Sequence, residues 1–129
     1  MYSCANCGLK GCSEGNLDKT LPNCPSKEKN IQEEAKKLYL EEENYKIAHN
    51  AAIVEAEGYG AKTRIEEIIS FAKKCEYKRI GLVFCIGLIN EAKCFADILR
   101  HHGFDTISVL CKNGGIEKTH IGIKDENKI

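Results

Sequence analysis

The first 26 residues hold four cysteines but only Leu9, Leu17 and Leu21 as large aliphatic side chains. That imbalance constrains the chain more than any other feature. A stretch rich in Gly, Asn and Ser with so little to bury cannot build its own core, so it is either disordered or tied together by its thiols. The cysteines stand at Cys4, Cys7, Cys12 and Cys24, and Pro25 follows the last of them. Cys4-x-x-Cys7-Gly8 reads as a knuckle: a tight turn aims two thiolates at one ion, and Gly8 is free to take a left-handed backbone. Four thiolates without histidine suit a closed tetrahedral zinc site. They equally suit a [4Fe-4S] cluster, for which a terminal Cys-Pro is familiar. The glycine that closes the knuckle tips the balance slightly to zinc.

The compartment bears on this reading. Met1-Tyr2-Ser3-Cys4 shows neither a basic n-region nor an apolar h-region, and the apolar run from Ile80 to Ile89 is too short to span a bilayer. The expectation is a cytoplasmic chain, where thiols stay reduced and eight cysteines call for metal binding before disulfides. Nineteen basic and nineteen acidic residues cancel, without a basic stripe. The expected partner is therefore a metal ion, and neither nucleic acid nor a membrane.

Beyond Pro25 the pattern turns helical. Asn30 with Glu33 resembles a capping box, followed by a stripe of Ile31, Ala35, Leu38 and Tyr39. After a break at Glu41-Glu42-Glu43-Asn44 a second helix carries Ile47, Ala48, Ala51 and Val54, with Gly58 as its C-cap. Thr63 and Glu66 form a cleaner capping box for a third, with Ile65, Ile68, Ile69 and Ala72 facing inward. Arg79 to Cys85 is nearly continuous in apolar residues and reads as a buried strand. A helix from about Leu88 to His102 follows, with Ala92, Phe95, Ala96 and Leu99 at helical spacing and Gly103 ending it. Thr106 to Cys111 reads as a second strand.

The expected fold is α/β: a four-cysteine metal-binding segment over residues 1–26, then helices and a βαβ, half Rossmann-like unit with parallel strands over residues 27–129. Lys112 to Ile129 offers no further strong strand, whereas a parallel sheet wants more than two strands and cover on both faces. Residues 27–129 are therefore expected to be an incomplete domain, finished by a missing C-terminal segment or by a homo-oligomeric partner.

Ligands gather at the carboxyl ends of parallel strands, which is where Cys85 and Cys111 fall. On neighbouring strands about 4.8 Å apart the two thiols could share a ligand or a metal. Cys85 also precedes a helix start, whose field lowers a thiol's pKa. Equally, both could be small buried apolar residues. Cys94, beside Phe95, reads as a core residue, and Cys75 as an incidental thiol at a helix end. Glu55, Glu57 and Arg64 read as charges that pair across the turn between the second and third helices. The leading function is metal binding through the four N-terminal cysteines. The alternative is an enzyme of redox or sulfur chemistry, with Cys85 as nucleophile or cluster ligand and Cys111 as its partner.

Cys4-Ala5-Asn6-Cys7 through Cys24-Pro25, Val54-Glu55-Ala56-Glu57-Gly58-Tyr59, Thr63-Arg64-Ile65-Glu66-Glu67, the run Ile80 to Leu88, and Ile121 to Glu126 together resemble the DUF1847 family of prokaryotic metal-binding proteins. The resemblance implies a metal-binding label and no established activity. It also implies that the family's chains continue with further strands and cysteines, so that Cys85 and Cys111 would belong to a larger set of strand-end thiols.

Overall fold

The computed structural model describes residues 4–128, in two compact units, Met1–His49 and Asn50–Ile129. The first unit is built from short 3-10 turns at Cys4–Asn6, Gly11–Glu14, Leu17–Lys19 and Pro25–Lys27, then helix α1, Lys29–Tyr39, and the start of α2, Glu42–Gly58. Each turn is held locally. Asn16 accepts from the Asp18 and Lys19 amides through its side-chain oxygen, at 3.1 and 3.4 Å, and so caps Leu17–Lys19. Thr20 is buried and donates its hydroxyl to the Leu17 carbonyl at 2.6 Å.

Two local expectations fail here. The left-handed residues of this segment are Lys10 (φ 50°) and Gly15 (φ 68°), not Gly8. Helix α1 begins before Asn30: the Gln32 amide donates to the Glu28 carbonyl at 3.1 Å, which makes Glu28 the cap and places Asn30 in the first turn. The capping box with Glu33 therefore does not form. The apolar stripe of α1 is also exposed at Ile31, Leu38 and Tyr39, and no residue of α1 is buried.

The second unit has a core. Helix α2 runs through Gly58, and the left-handed turn comes later, at Gly60 (φ 69°), so Gly58 is not the C-cap. Its bareness serves packing instead: a Cβ there would lie 3.2 Å from Cδ of Lys62 and 3.3 Å from Oε1 of Glu67. Helix α3, Arg64–Lys74, opens with the expected capping box, the Thr63 amide donating to Glu66 at 2.7 Å and the Glu66 amide to Thr63 Oγ1 at 3.4 Å. These bonds hold the Glu66 carboxyl below its ordinary range, the Thr63 amide contributing most and the Thr63 hydroxyl next.

Helices α3 and α4 (Ile89–His101) end alike. After α4 the Phe104 amide donates to the Leu99 carbonyl and the Gly103 amide to that of Arg100, with Gly103 left-handed at φ 87°. After α3 the Tyr77 amide donates to Ala72 and the Glu76 amide to Lys73, with Glu76 left-handed at φ 59°. Both are Schellman motifs, and in each the aromatic residue after the left-handed position folds back on the helix it follows. Phe104 and Tyr77 accordingly pack with Leu99, Ile69 and Ala72 in the core.

Each motif feeds a strand: β1, Arg79–Phe84, and β2, Asp105–Leu110. They pair in parallel, from Arg79 opposite Asp105 to Phe84 opposite Leu110, with α4 as the crossover. The expected βαβ unit is present. Burial of β1 alternates, however, so it is not the doubly covered strand its apolar run suggested. Ile80 and Leu82 face α3 and α4, while on the opposite face Val83, Ile107 and Val109 are 84%, 52% and 42% exposed.

Candidate functional site

Extending the register of β1 and β2 by one residue places Cys85 opposite Cys111, where both strands end. The Cys111 amide is anchored to the Phe84 carbonyl at 2.8 Å, and the Ile86 amide donates to the Cys111 sulfur at 3.4 Å. Cys85 is the cap of a 3-10 turn, Ile86–Leu88, that runs directly into α4. The Gly87 amide turned back by that cap is the largest influence on the Cys85 thiol and lowers its pKa. The Cys111 thiol as hydrogen-bond partner and the charge of Lys112 lower it further, partly opposed by desolvation. Both thiols are exposed. The picture of two small buried apolar residues is thereby excluded, and the structure brings together the two cysteines that the strand pattern singled out.

Around the pair, Lys112 opens a turn whose Gly114 and Gly115 are both left-handed, at φ 87° and 60°. A backbone of that kind needs glycine.

The other cysteines distribute differently from expectation. Cys75 is fully buried and accepts from Asn50 Nδ2 at 3.6 Å, so it is a core residue rather than an incidental thiol. Cys94 is exposed, because it lies on the side of α4 away from the buried Ala96 and Leu99 face. Arg64 pairs with Glu67 one turn along its own helix at 2.7 Å, and Glu57 pairs with Lys74 at 3.1 Å. The expected pairing of Arg64 with Glu55 and Glu57 is replaced by these two. The same elements border a cleft of about 670 Å³ with Val54 and Phe71 on its floor and Glu55, Tyr59, Arg64 and Glu67 around it, which sequence periodicity could not have revealed.

In the first unit, Cys4 and Cys7 are joined by a turn in which the Cys7 amide donates to the Cys4 carbonyl at 3.1 Å. Cys12 lies in the Gly11–Glu14 turn, and Cys24 caps Pro25–Lys27. The Cys24 thiol is held below its ordinary pKa, chiefly by the Ser26 amide, then by the Ser26 and Thr20 hydroxyls and the charge of Lys27. Among the described residues no three His, Cys, Asp or Glu side chains converge as metal ligands. The donor chemistry of the four thiols fits zinc or a cluster; joining them around one centre requires the turns that carry them to close.

Fold and site together define a mixed α/β protein with a thiol pair at the carboxyl end of a parallel two-stranded sheet. The chain belongs to the family described as Protein of unknown function (DUF1847), which matches residues 24–129. It is also 46% identical, over 125 residues, to an uncharacterized protein of Methanocaldococcus jannaschii, covering 97% of this chain and 60% of that protein. The chain thus spans about 60% of the length of that relative. No solved structure matches the chain. The family match includes Cys24, Cys85 and Cys111 and starts after Cys4, Cys7 and Cys12. No helix among the described residues is long and apolar enough to cross a membrane.

Proposed function

We propose that the chain carries out thiol–disulfide exchange at Cys85 and Cys111. The observation that carries this reading is the in-register pair of exposed thiols, with the Ile86 amide donating to the Cys111 sulfur at 3.4 Å and the Cys85 thiol held below its ordinary pKa, chiefly by the Gly87 backbone. Amide donors stabilise a thiolate, and the thiolate is the nucleophile. The Cys85 thiolate attacks one sulfur of a substrate disulfide, breaking its S–S bond and expelling one thiolate. Cys111 passes its proton to that leaving group and attacks the Cys85 sulfur, releasing the second substrate thiolate. Two electrons pass from the pair to the substrate, and the protein is left with a Cys85–Cys111 disulfide. Neighbouring parallel strands, about 4.8 Å apart, fall within the Cα separation of about 4.4–6.8 Å that a disulfide requires.

The test is the pH profile of Cys85 alkylation by iodoacetamide, read at that residue by peptide mass spectrometry. Because the thiol's pKa is lowered, the rate should reach half its plateau below the ordinary value of about 8.5. Cys111→Ser removes a thiol partner and should move the midpoint upward. A midpoint at or above that of an unstructured thiol would remove the nucleophile.

A second reading is metal binding at the N-terminal segment, with Cys4, Cys7, Cys12 and Cys24 holding zinc, slightly favoured, or a [4Fe-4S] cluster. It is favoured by the activated Cys24 in a segment that has no apolar core of its own. Zinc would supply a cross-link that substitutes for that core, and a cluster would add electron transfer. In protein purified without oxygen, zinc, iron and acid-labile sulfide should show one centre per chain. Cys7→Ser should lose both the metal and the order of residues 1–26; stoichiometric metal in that variant would exclude this ligand set.

A further inference from the structure

We propose that the reduced Cys85–Cys111 pair is also a two-coordinate site for a soft monovalent d10 cation of the Cu(I) or Ag(I) class. Three observations lead there. The first is spacing: the thiols are level on neighbouring parallel strands. The two thiols are near enough to share a hydrogen bond, and a linear two-coordinate cation, with two thiolate–metal bonds of about 2.3 Å, sets its sulfurs about 4.6 Å apart. Rotation of the two short, exposed side chains opens that span while the strands stay in register.

The second is the donor set. Among the described residues no third His, Cys, Asp or Glu joins the pair. Zinc wants four ligands, and magnesium and calcium want six or more oxygens, so two thiolates alone suit neither. Soft cations that prefer thiolate and are content with two ligands remain.

The third is charge. The Cys111 sulfur already accepts from the Ile86 amide at 3.4 Å, and Cys85 stands at the cap of the Ile86–Leu88 turn. A monovalent cation between two thiolates leaves one net negative charge, which the Lys112 ammonium acting on Cys85 offsets. Binding displaces the protons still held by the thiols and leaves the oxidation state of the metal unchanged. The site uses the same two sulfurs as disulfide exchange but does not depend on that reaction; oxidation of the pair would consume both ligands and release the cation.

The experiment uses the full chain, reduced and without oxygen, with Cys4, Cys7, Cys12 and Cys24 all replaced by Ser to remove competing thiols. Cu(I) is presented as its coloured bicinchoninate complex, and withdrawal is read as loss of colour. One equivalent per chain should be withdrawn. Adding Cys85→Ser or Cys111→Ser should weaken withdrawal at least tenfold with an unchanged far-UV circular dichroism spectrum, while adding Cys94→Ser should leave it intact. Prior oxidation of the pair by a small disulfide should abolish withdrawal with no further substitution. No withdrawal by the reduced protein, or withdrawal that survives loss of either thiol or oxidation of the pair, overturns the proposal. Cu(I) bound without disulfide exchange would remove only the exchange reading, and exchange without Cu(I) binding only this one.

Discussion

The two units place their cysteines by different means. In residues 50–129, Cys85 and Cys111 lie 26 positions apart in sequence and meet because a parallel register, a crossover helix and a buried core put them there. In the described residues 4–49 every cysteine sits in or beside a short turn closed by hydrogen bonds to its near neighbours, and the buried residues are Gly11 and Thr20. A site set by long-range packing is already shaped when its ligand arrives. A site set by separate turns must be drawn together by the ligand itself, which is how small metal-bound segments couple binding to folding. The contrast explains why the strand-end pair can be read as chemistry from its geometry, whereas the four N-terminal thiols are legible as ligands only through their composition.

The largest expected effect tests whether the second unit rests on its core. Leu99 is fully buried, belongs to the core cluster, and its carbonyl accepts from the Phe104 amide in the turn into β2. Leu99→Ala should lower unfolding free energy by about 3 kcal/mol in a urea titration, through lost burial and the cavity left behind. Because Leu99 anchors the approach to β2, Cys111 should lose its hydrogen-exchange protection together with the strand. Leu21→Ala in the first unit, at a side chain already 45% exposed, should change the unfolding free energy by less than about 0.5 kcal/mol. Equal losses from the two substitutions would erase the distinction between the units.

A sharper cut comes from Gly11. A Cβ there would stand 2.6 Å from the carbonyl oxygen of Asn16 and 2.9 Å from the carbonyl of Lys19, both backbone atoms that cannot swing aside. Gly11→Ala should therefore open the loop from Lys10 to Thr20, seen as loss of amide protection at Asn16 and Thr20. The unfolding midpoint of the second unit should not move. If it does move, the two units are energetically coupled and the N-terminal turns depend on more than their own bonds.

Much of the second unit was legible in the sequence for the same reason that it is stable. Its apolar periodicity, the Thr63–Glu66 capping box and Gly103 all agree with one another and with the fold. The misreadings are of single steps. Cys94 lies about 150° round α4 from the face that was recognised, and Cys75, at the end of α3, is fully buried. In β1, Ile80 and Leu82 face the helices while Val83 does not, a difference that a run of apolar letters cannot express. Cys85 and Cys111 were found from position alone, whereas the amides that act on them became visible only with the turn at Ile86–Leu88. In α1 the amphipathic stripe is real, but amphipathicity cannot say whether anything covers it.

The smallest effect concerns a turn that sequence could not reveal. The Schellman motif after α4 uses Gly103, but its counterpart after α3 uses Glu76, an L-residue with a side chain held at φ 59°. That conformation costs about 1–2 kcal/mol for a residue other than glycine. Glu76→Gly removes the cost, while glycine's extra freedom in the unfolded chain returns about 0.4–1 kcal/mol of it. The net expectation is a gain of about 0.5 kcal/mol, measured as a higher urea midpoint with an unchanged slope. Because Glu76 lies on the path from α3 to β1, the gain should also appear as slower amide exchange at Tyr77 and along β1. A loss of stability instead would mean that the Glu76 side chain makes a contribution larger than its strain, and that the turn delivering Cys85 to its place is held by that side chain rather than by the backbone motif alone.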